Sequence, residues 1–208
     1  MLIIFQYLSI PLGYILGSIP SAFIIGRMIG RADLRSEGDG KISPAAIYRR
    51  LGLIPFLLAV SSDVGKSLLA IFLANIISGD DWTIRLLTGV AVVIGHDWPV
   101  FLKFKGGLGA TVIYGVLAAI TFLQLITAFI PALIFALTTR KSGASTAIIG
   151  IGIVAIYLIQ KLMLAPQMNF LDIPWALIPY PLVLLGLMIL KKYQIKKRMN
   201  HMFELDDD

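Results

Sequence analysis

The sequence predicts an all-α, polytopic integral membrane protein. The expected form is a bundle of about seven transmembrane helices in a single domain over residues 1–208, with the N-terminus outside and the C-terminus cytoplasmic. Two observations carry that expectation. The first is the apolar share: 58% of the residues are hydrophobic and only 14% are charged, where a soluble domain carries about 25%. Mean hydropathy is +0.87. One soluble core of this size could not hide so much apolar surface, whereas lipid acts as a solvent for it. The second is where the charge lies. Lysines and arginines gather between the apolar runs, at Arg27 to Arg50, at Lys103 and Lys105, at Arg140 and Lys141, and at Lys191 to Arg198. That is the pattern of the positive-inside rule. The same cations, with a net charge of +6, also suit a patch for phosphate.

The elements follow in order. The first apolar run, 2–25, is too long for a signal-peptide core and lacks basic residues ahead of it. It has no small-x-small cleavage site and reads as a retained membrane helix. A polar, basic segment covers 26–50. The second run, 51–77, ends in a short polar turn at 78–85 carrying Asp80 and Asp81. The third, 86–102, leads into Lys103-Phe104-Lys105-Gly106-Gly107-Leu108-Gly109. As one helix, 110–137 would extend ~42 Å, more than a single span of ~30 Å needs. If the basic pairs on either side share one face of the membrane, two short helices must meet near Phe122. One tilted helix kinked at Pro131 is the alternative. A run at 147–164, a loop at 165–174 and a last run at 175–190 complete the set. Trp175 and Tyr180 stand where an aromatic belt lies. The tail from Lys191 is basic, then acidic from Asp206 to Asp208.

Three polar segments fall on the cytoplasmic side in this topology: 26–50, 103–109 and the tail. Glycines at 106, 107 and 109 allow a tight turn and close approach to a ligand. A glycine-rich turn entering a helix also offers free N–H groups to an anion, with Lys103 and Lys105 adding attraction. A tight interhelical loop would use the same glycines. His96 beside Asp97 suggests acid–base work or a histidine tied to a helix end. Residues 36–44 read as a turn-rich loop, with Arg49 and Arg50 after it offering donor forks for phosphate or plain interfacial anchoring. Asp63 and Lys66 lie inside an apolar run at spacing i, i+3, and a structural ion pair is expected. With no cysteines and only His96 and His201, thiol chemistry is excluded and no metal site is expected.

These segments together resemble one family. Tyr14-Ile15-Leu16-Gly17-Ser18-Ile19-Pro20 resembles its first-helix signature. Residues 35–52 resemble a motif of the form G-S-G-N-x-G-A-T-N-x-x-R-x-x-G, and Asp63-Val64-Gly65-Lys66 resembles its D-x-x-K. The run from Gly95-His96-Asp97-Trp98-Pro99 through Gly109-Ala110-Thr111 is similar to G-H-x-F-P-V-F-L-K-F-K-G-G-K-G-V-A-T. The family is that of the bacterial acyl-phosphate:glycerol-3-phosphate acyltransferases.

The resemblance implies a multi-pass protein of the plasma membrane with a cytoplasmic active face. It implies transfer of a fatty acyl group from acyl phosphate to the 1-hydroxyl of glycerol 3-phosphate, within phospholipid synthesis. The partners implied are those two substrates and membrane lipid, with no metal, cofactor or nucleic acid. Arg49, Lys41, Lys103, Lys105, Gly106, Gly107, Gly109, Lys191 and Gln194 are the expected phosphate-binding set, and His96 is a catalytic candidate. Several motif positions depart. Asp39 stands for the serine, Lys41 for an asparagine, Ala45 and Ala46 for threonine and asparagine, and Leu108 for the second lysine. The tail motif H-R-x-N-I is matched by Lys191-Lys192-Tyr193-Gln194-Ile195. Two alternatives are a relative that binds acyl phosphate or anionic lipid without turnover, and a small transporter using Asp63 and Lys66.

Overall fold

The computed structural model describes residues 5–30, 44–79, 81–139, 142–163 and 175–206. The described residues are mainly helical, with no strand among them. The expected loop at 165–174, the turn-rich loop up to residue 43 with Lys41, and the pair Arg140 and Lys141 lie outside them.

Among the described residues the α-helices run in chain order: α1 Ser9–Ser18, α2 Ser21–Gly30, α3 Pro44–Leu51, α4 Leu53–Ser78, α5 Trp82–Asp97, α6 Ala110–Ile120, α7 Phe122–Thr139, α8 Ser142–Met163 and α9 Tyr180–Asp206. Among the described residues, four stretches are long and apolar enough to cross a bilayer: Ser9–Ile29, Leu53–Ser78, Trp82–Leu102 and Trp175–Arg198. Shorter apolar stretches occupy Ala110–Ile120, Phe122–Phe135 and Ile148–Ile159. Large apolar side chains such as Ile54, Phe72, Leu123 and Ile189 project outward, as lipid contact requires. The chain is an all-α integral membrane protein.

Some boundaries differ from those expected. The first run is not one helix: Ile19, extended at ψ 115°, and Pro20 separate α1 from α2. Proline drives its preceding residue out of helical geometry. The expected turn at 78–85 is shorter, because Asp81 caps α5 by accepting from the N–H groups of Thr83 and Ile84. Arg85 is therefore helical. The 110–137 stretch divides at Thr121, beside the expected Phe122, and Pro131 lies within α7. The last helix does not stop at Leu190 but continues through the basic tail for 27 residues in all.

Small residues let the helices close on one another. A Cβ on Gly17 of α1 would collide with the Val92 carbonyl of α5. One on Gly95 of α5 would collide with the Tyr14 carbonyl of α1. Without a hydrophobic drive between helices in lipid, such close contact supplies the association. Thr88 and Ser9 add a hydrogen bond between the same two helices. The main core gathers Val92 and Val93 of α5, Val112 and Val116 of α6, Ile153 of α8 and Leu184 of α9. A second cluster packs Ile47 of α3 against Ala22, Ala59 and Leu102. It therefore seats the helix carrying Arg49 beside the start of the glycine-rich loop.

Candidate active site

The glycine-rich loop begins where α5 ends. After Pro99 one 3₁₀ turn spans Val100–Leu102. Lys103 and Phe104 then take left-handed backbone, at φ 51° and 63°. Each such non-glycine residue costs on the order of 1 kcal/mol. Hydrogen bonds from the Phe104 N–H to the Pro99 carbonyl (2.9 Å) and from the Lys105 N–H to the Leu102 carbonyl (3.1 Å) hold the turn. It leaves Lys103 and Lys105 exposed. The chain then folds back onto the end of α5. A Cβ on Gly106 would strike the carbonyls of His96 and Asp97. Gly109, at φ 67°, lies against the Asp97 carboxyl. The start of α6 is thus already faced by an acidic group of the chain itself. Among the described residues, the N–H groups of 106–109 donate to no backbone carbonyl.

Beneath the loop lies a buried polar cluster drawn from four places in the chain. Lys66 Nζ sits 3.0 Å from Asp63 Oδ1, 2.9 Å from His96 Nδ1 and 3.0 Å from the Ile19 carbonyl oxygen, to which it donates. Thr111 Oγ1 donates to Asp63 Oδ2 at 2.7 Å. The expected pair of Asp63 and Lys66 therefore forms. It is also wider than expected, tying the α1–α2 break, α4, α5 and α6 together. With Ile19 extended between α1 and α2, its carbonyl stands outside the helical ladder, where it accepts from the Ser21 N–H (3.0 Å) and from Lys66.

A third group joins α9 to the end of α5. Lys191 is 4% exposed, donates from Nζ to the Asp97 carbonyl oxygen and lies 4.8 Å from the centre of the Trp98 ring. Trp98 Nε1 donates to Gln194 Oε1 at 3.0 Å. Spacing i, i+3 places Lys191 and Gln194 on one face of α9. Tyr14 of α1 donates to the Trp98 carbonyl at 3.0 Å from a second side.

The loop and the buried cluster border one hollow, lined by Gly17, Ser18, Ile19, His96, Gly106 and Gly107 among others. His96, Gly106 and Gly107, all expected site residues, meet there. Arg49 is exposed on α3, and among the described residues no hydrogen bond joins it to the loop. Lys191 and Gln194 engage Asp97 and Trp98, outside that lining. Ser18, Tyr14 and Thr111 are polar members that local reading missed as site residues. All three stood inside the quoted motifs, and only long-range packing gives them partners or a place.

The model of the glycerol-3-phosphate acyltransferase family matches residues 7–203. A glycerol-3-phosphate acyltransferase of Shouchella clausii (strain KSM-K16) is 37% identical over 136 residues, which is 64% of this chain and 65% of that protein. One of Synechococcus sp. (strain CC9605) is 42% identical over 100 residues, 48% of this chain and 49% of that one. The chain thus spans less than two thirds of the length of either. One of Carboxydothermus hydrogenoformans (strain ATCC BAA-161 / DSM 6008 / Z-2901) is 31% identical over 76% of this chain and 80% of its own length. The fold is similar to that of the crystal structure of PlsY (YgiH), an integral membrane glycerol 3-phosphate acyltransferase, in its glycerol 3-phosphate form. The TM-score is 0.77 at 24% identity, over 94% of this chain and 92% of that one. With nearly its whole length matched, the chain belongs to the glycerol-3-phosphate acyltransferase family.

Proposed function

We propose that the chain, a single transmembrane domain, transfers a fatty acyl group from acyl phosphate to the 1-hydroxyl of glycerol 3-phosphate. Lysophosphatidate and inorganic phosphate are the products. The new ester C–O bond forms as the mixed anhydride's C–O bond to phosphate breaks, and the hydroxyl proton leaves with the phosphate in the overall balance. The observation that carries this reading is the hollow over Gly106 and Gly107. It joins the glycine-rich loop, Ser18 and His96, near a rim bearing Lys103 and Lys105. An activated donor asks mainly for positioning and charge neutralisation, and a glycine floor with surrounding cations suits both. Arg49, Lys41, Lys103 and Lys105 serve as phosphate cations, with Gly109 closing the turn. The basic clusters support a reading in which this face lies in the cytoplasm, in a plasma-membrane protein whose N-terminus is outside.

The test supplies purified protein with acyl phosphate and glycerol 3-phosphate and quantifies lysophosphatidate, with Arg49→Ala beside it. Product that falls at least about tenfold in the variant supports the reading. A second reading, binding of acyl phosphate without turnover, is favoured by Leu108, an apolar residue in the loop where its relatives' motif carries lysine. Retained phosphate binding with no product selects it.

A further inference from the structure

We propose that His96 works as a fixed hydrogen-bond donor, presenting Nε2–H together with the Ser18 hydroxyl to an oxyanion seated over Gly106 and Gly107. The inference deepens the proposed function, since it rests on this hollow receiving a phosphorylated ligand. It assigns His96 a role opposite to that of a general base.

The argument starts from the donors of Lys66. An ammonium group carries three N–H bonds and no lone pair. Around Nζ stand three acceptors at hydrogen-bonding distance: the Ile19 carbonyl oxygen at 3.0 Å, Asp63 Oδ1 at 3.0 Å and His96 Nδ1 at 2.9 Å. The Ile19 carbonyl and His96 Nδ1 meet hydrogen-bond geometry, while Asp63 Oδ1 pairs with the ammonium by charge. A proton on Nδ1 would set N–H against N–H at that distance, so Nδ1 must offer its lone pair. A neutral imidazole that accepts at Nδ1 carries its hydrogen on Nε2.

The arrangement differs from an acid–base dyad in one respect. In a dyad the carboxylate accepts from Nδ1–H, and Nε2 keeps a lone pair for the substrate proton. Here Asp63 Oδ1 is 3.7 Å from Nδ1, while the lysine occupies the nearer position at 2.9 Å. The other Asp63 oxygen is taken by Thr111. The ring is therefore turned by a cation, and its outward atom is a donor.

Two further observations point to a ligand. Among the described residues Nε2 has no partner, and His96 lines the hollow with Gly106 and Gly107. Ser18, which lines the same hollow, is fully buried, and its hydroxyl also has no partner in the described structure. Two donors with nothing to bond, at the edge of a glycine floor, suit an anionic oxygen.

The experiment uses the full chain in detergent micelles with ¹⁵N-labelled histidine. His201→Gln removes the only other imidazole signal. Long-range ¹H–¹⁵N couplings then read the His96 tautomer. The Nε2–H form is expected, and an Nδ1–H form or an imidazolium at neutral pH overturns the inference. Inorganic phosphate is titrated in parallel. His96→Gln keeps an N–H donor near the Nε2 position and is expected to hold affinity within about threefold, whereas His96→Leu loses about tenfold or more. Equal affinity in all three forms, or no phosphate binding by the unaltered chain, overturns it. The tautomer measurement needs no substitution at position 96, so misfolding of a variant leaves the test intact. Neither readout involves acyl transfer. A chain that turns over substrate with the opposite tautomer refutes this inference alone, and one that shows the donor and binds phosphate without making product refutes only the acyltransferase reading.

Discussion

The buried cluster around Lys66 and the exposed rim of Lys103, Lys105 and Arg49 carry the same kind of charge under opposite conditions. Lys66 and Asp63 have side chains only 5% and 0% exposed, and the ammonium pairs with the carboxylate and hydrogen-bonds to Ile19 and His96. The rim cations stand in solvent on a strained turn and a short helix. Removing one partner from the cluster strands a charge where water cannot reach it. Removing a rim cation leaves nothing stranded. The first set of charges holds the bundle together, and the second adjusts what the bundle attracts.

Lys66→Met tests the first half most severely. It leaves Asp63 with Thr111 alone, and a loss of about 3–5 kcal/mol is expected. Thermal unfolding in detergent measures it, and a loss below about 1 kcal/mol would show that the cluster is dispensable to the fold. Next in size is the α1–α5 seam. Gly17→Ala drives a methyl into the Val92 carbonyl, and about 1–3 kcal/mol should be lost. An unchanged unfolding midpoint would mean that the two helices can part without consequence.

Between these regions lies the contact of α9 with the end of α5, half cluster and half rim. Trp98→Phe keeps a ring for Lys191 but loses the bond to Gln194, for about 0.5 kcal/mol. A cycle with Gln194→Ala should find the two losses non-additive, and simple additivity would deny the bond. The smallest stability change is expected at the rim: Lys103→Ala and Lys105→Ala should stay within about 0.5 kcal/mol. Their effect appears instead in phosphate titrations, as weaker binding and a shallower salt dependence. A salt profile identical to that of the unaltered chain would separate these lysines from the ligand.

Local spacing made the Asp63–Lys66 pair legible, because charges three residues apart in an apolar run have few other ways to be satisfied. It did not reveal Ile19, His96 or Thr111 as partners. Those lie 47, 30 and 48 residues from the residues they meet, and only the packing of α1, α4, α5 and α6 selects them. The helix division near Phe122 was readable from length and charge parity. The end of the last helix was not, because hydropathy reports where lipid stops rather than where hydrogen bonding stops. Pro20 was visible in the sequence, yet the long apolar run around it hid the break. Glycines 106, 107 and 109 were legible as a turn, but Asp97 facing the start of α6 depends on how the loop lies back upon α5.

The uninterrupted run of α9 past Lys191 gives the protein a stiff post. Fifteen more residues to Asp206 extend ~22 Å at helical rise. Because Lys191 is clamped at the base of that post, its far end cannot drift across the entrance. A reporter or fusion joined beyond Asp206 would be carried clear of the hollow by fixed geometry instead of by tether length.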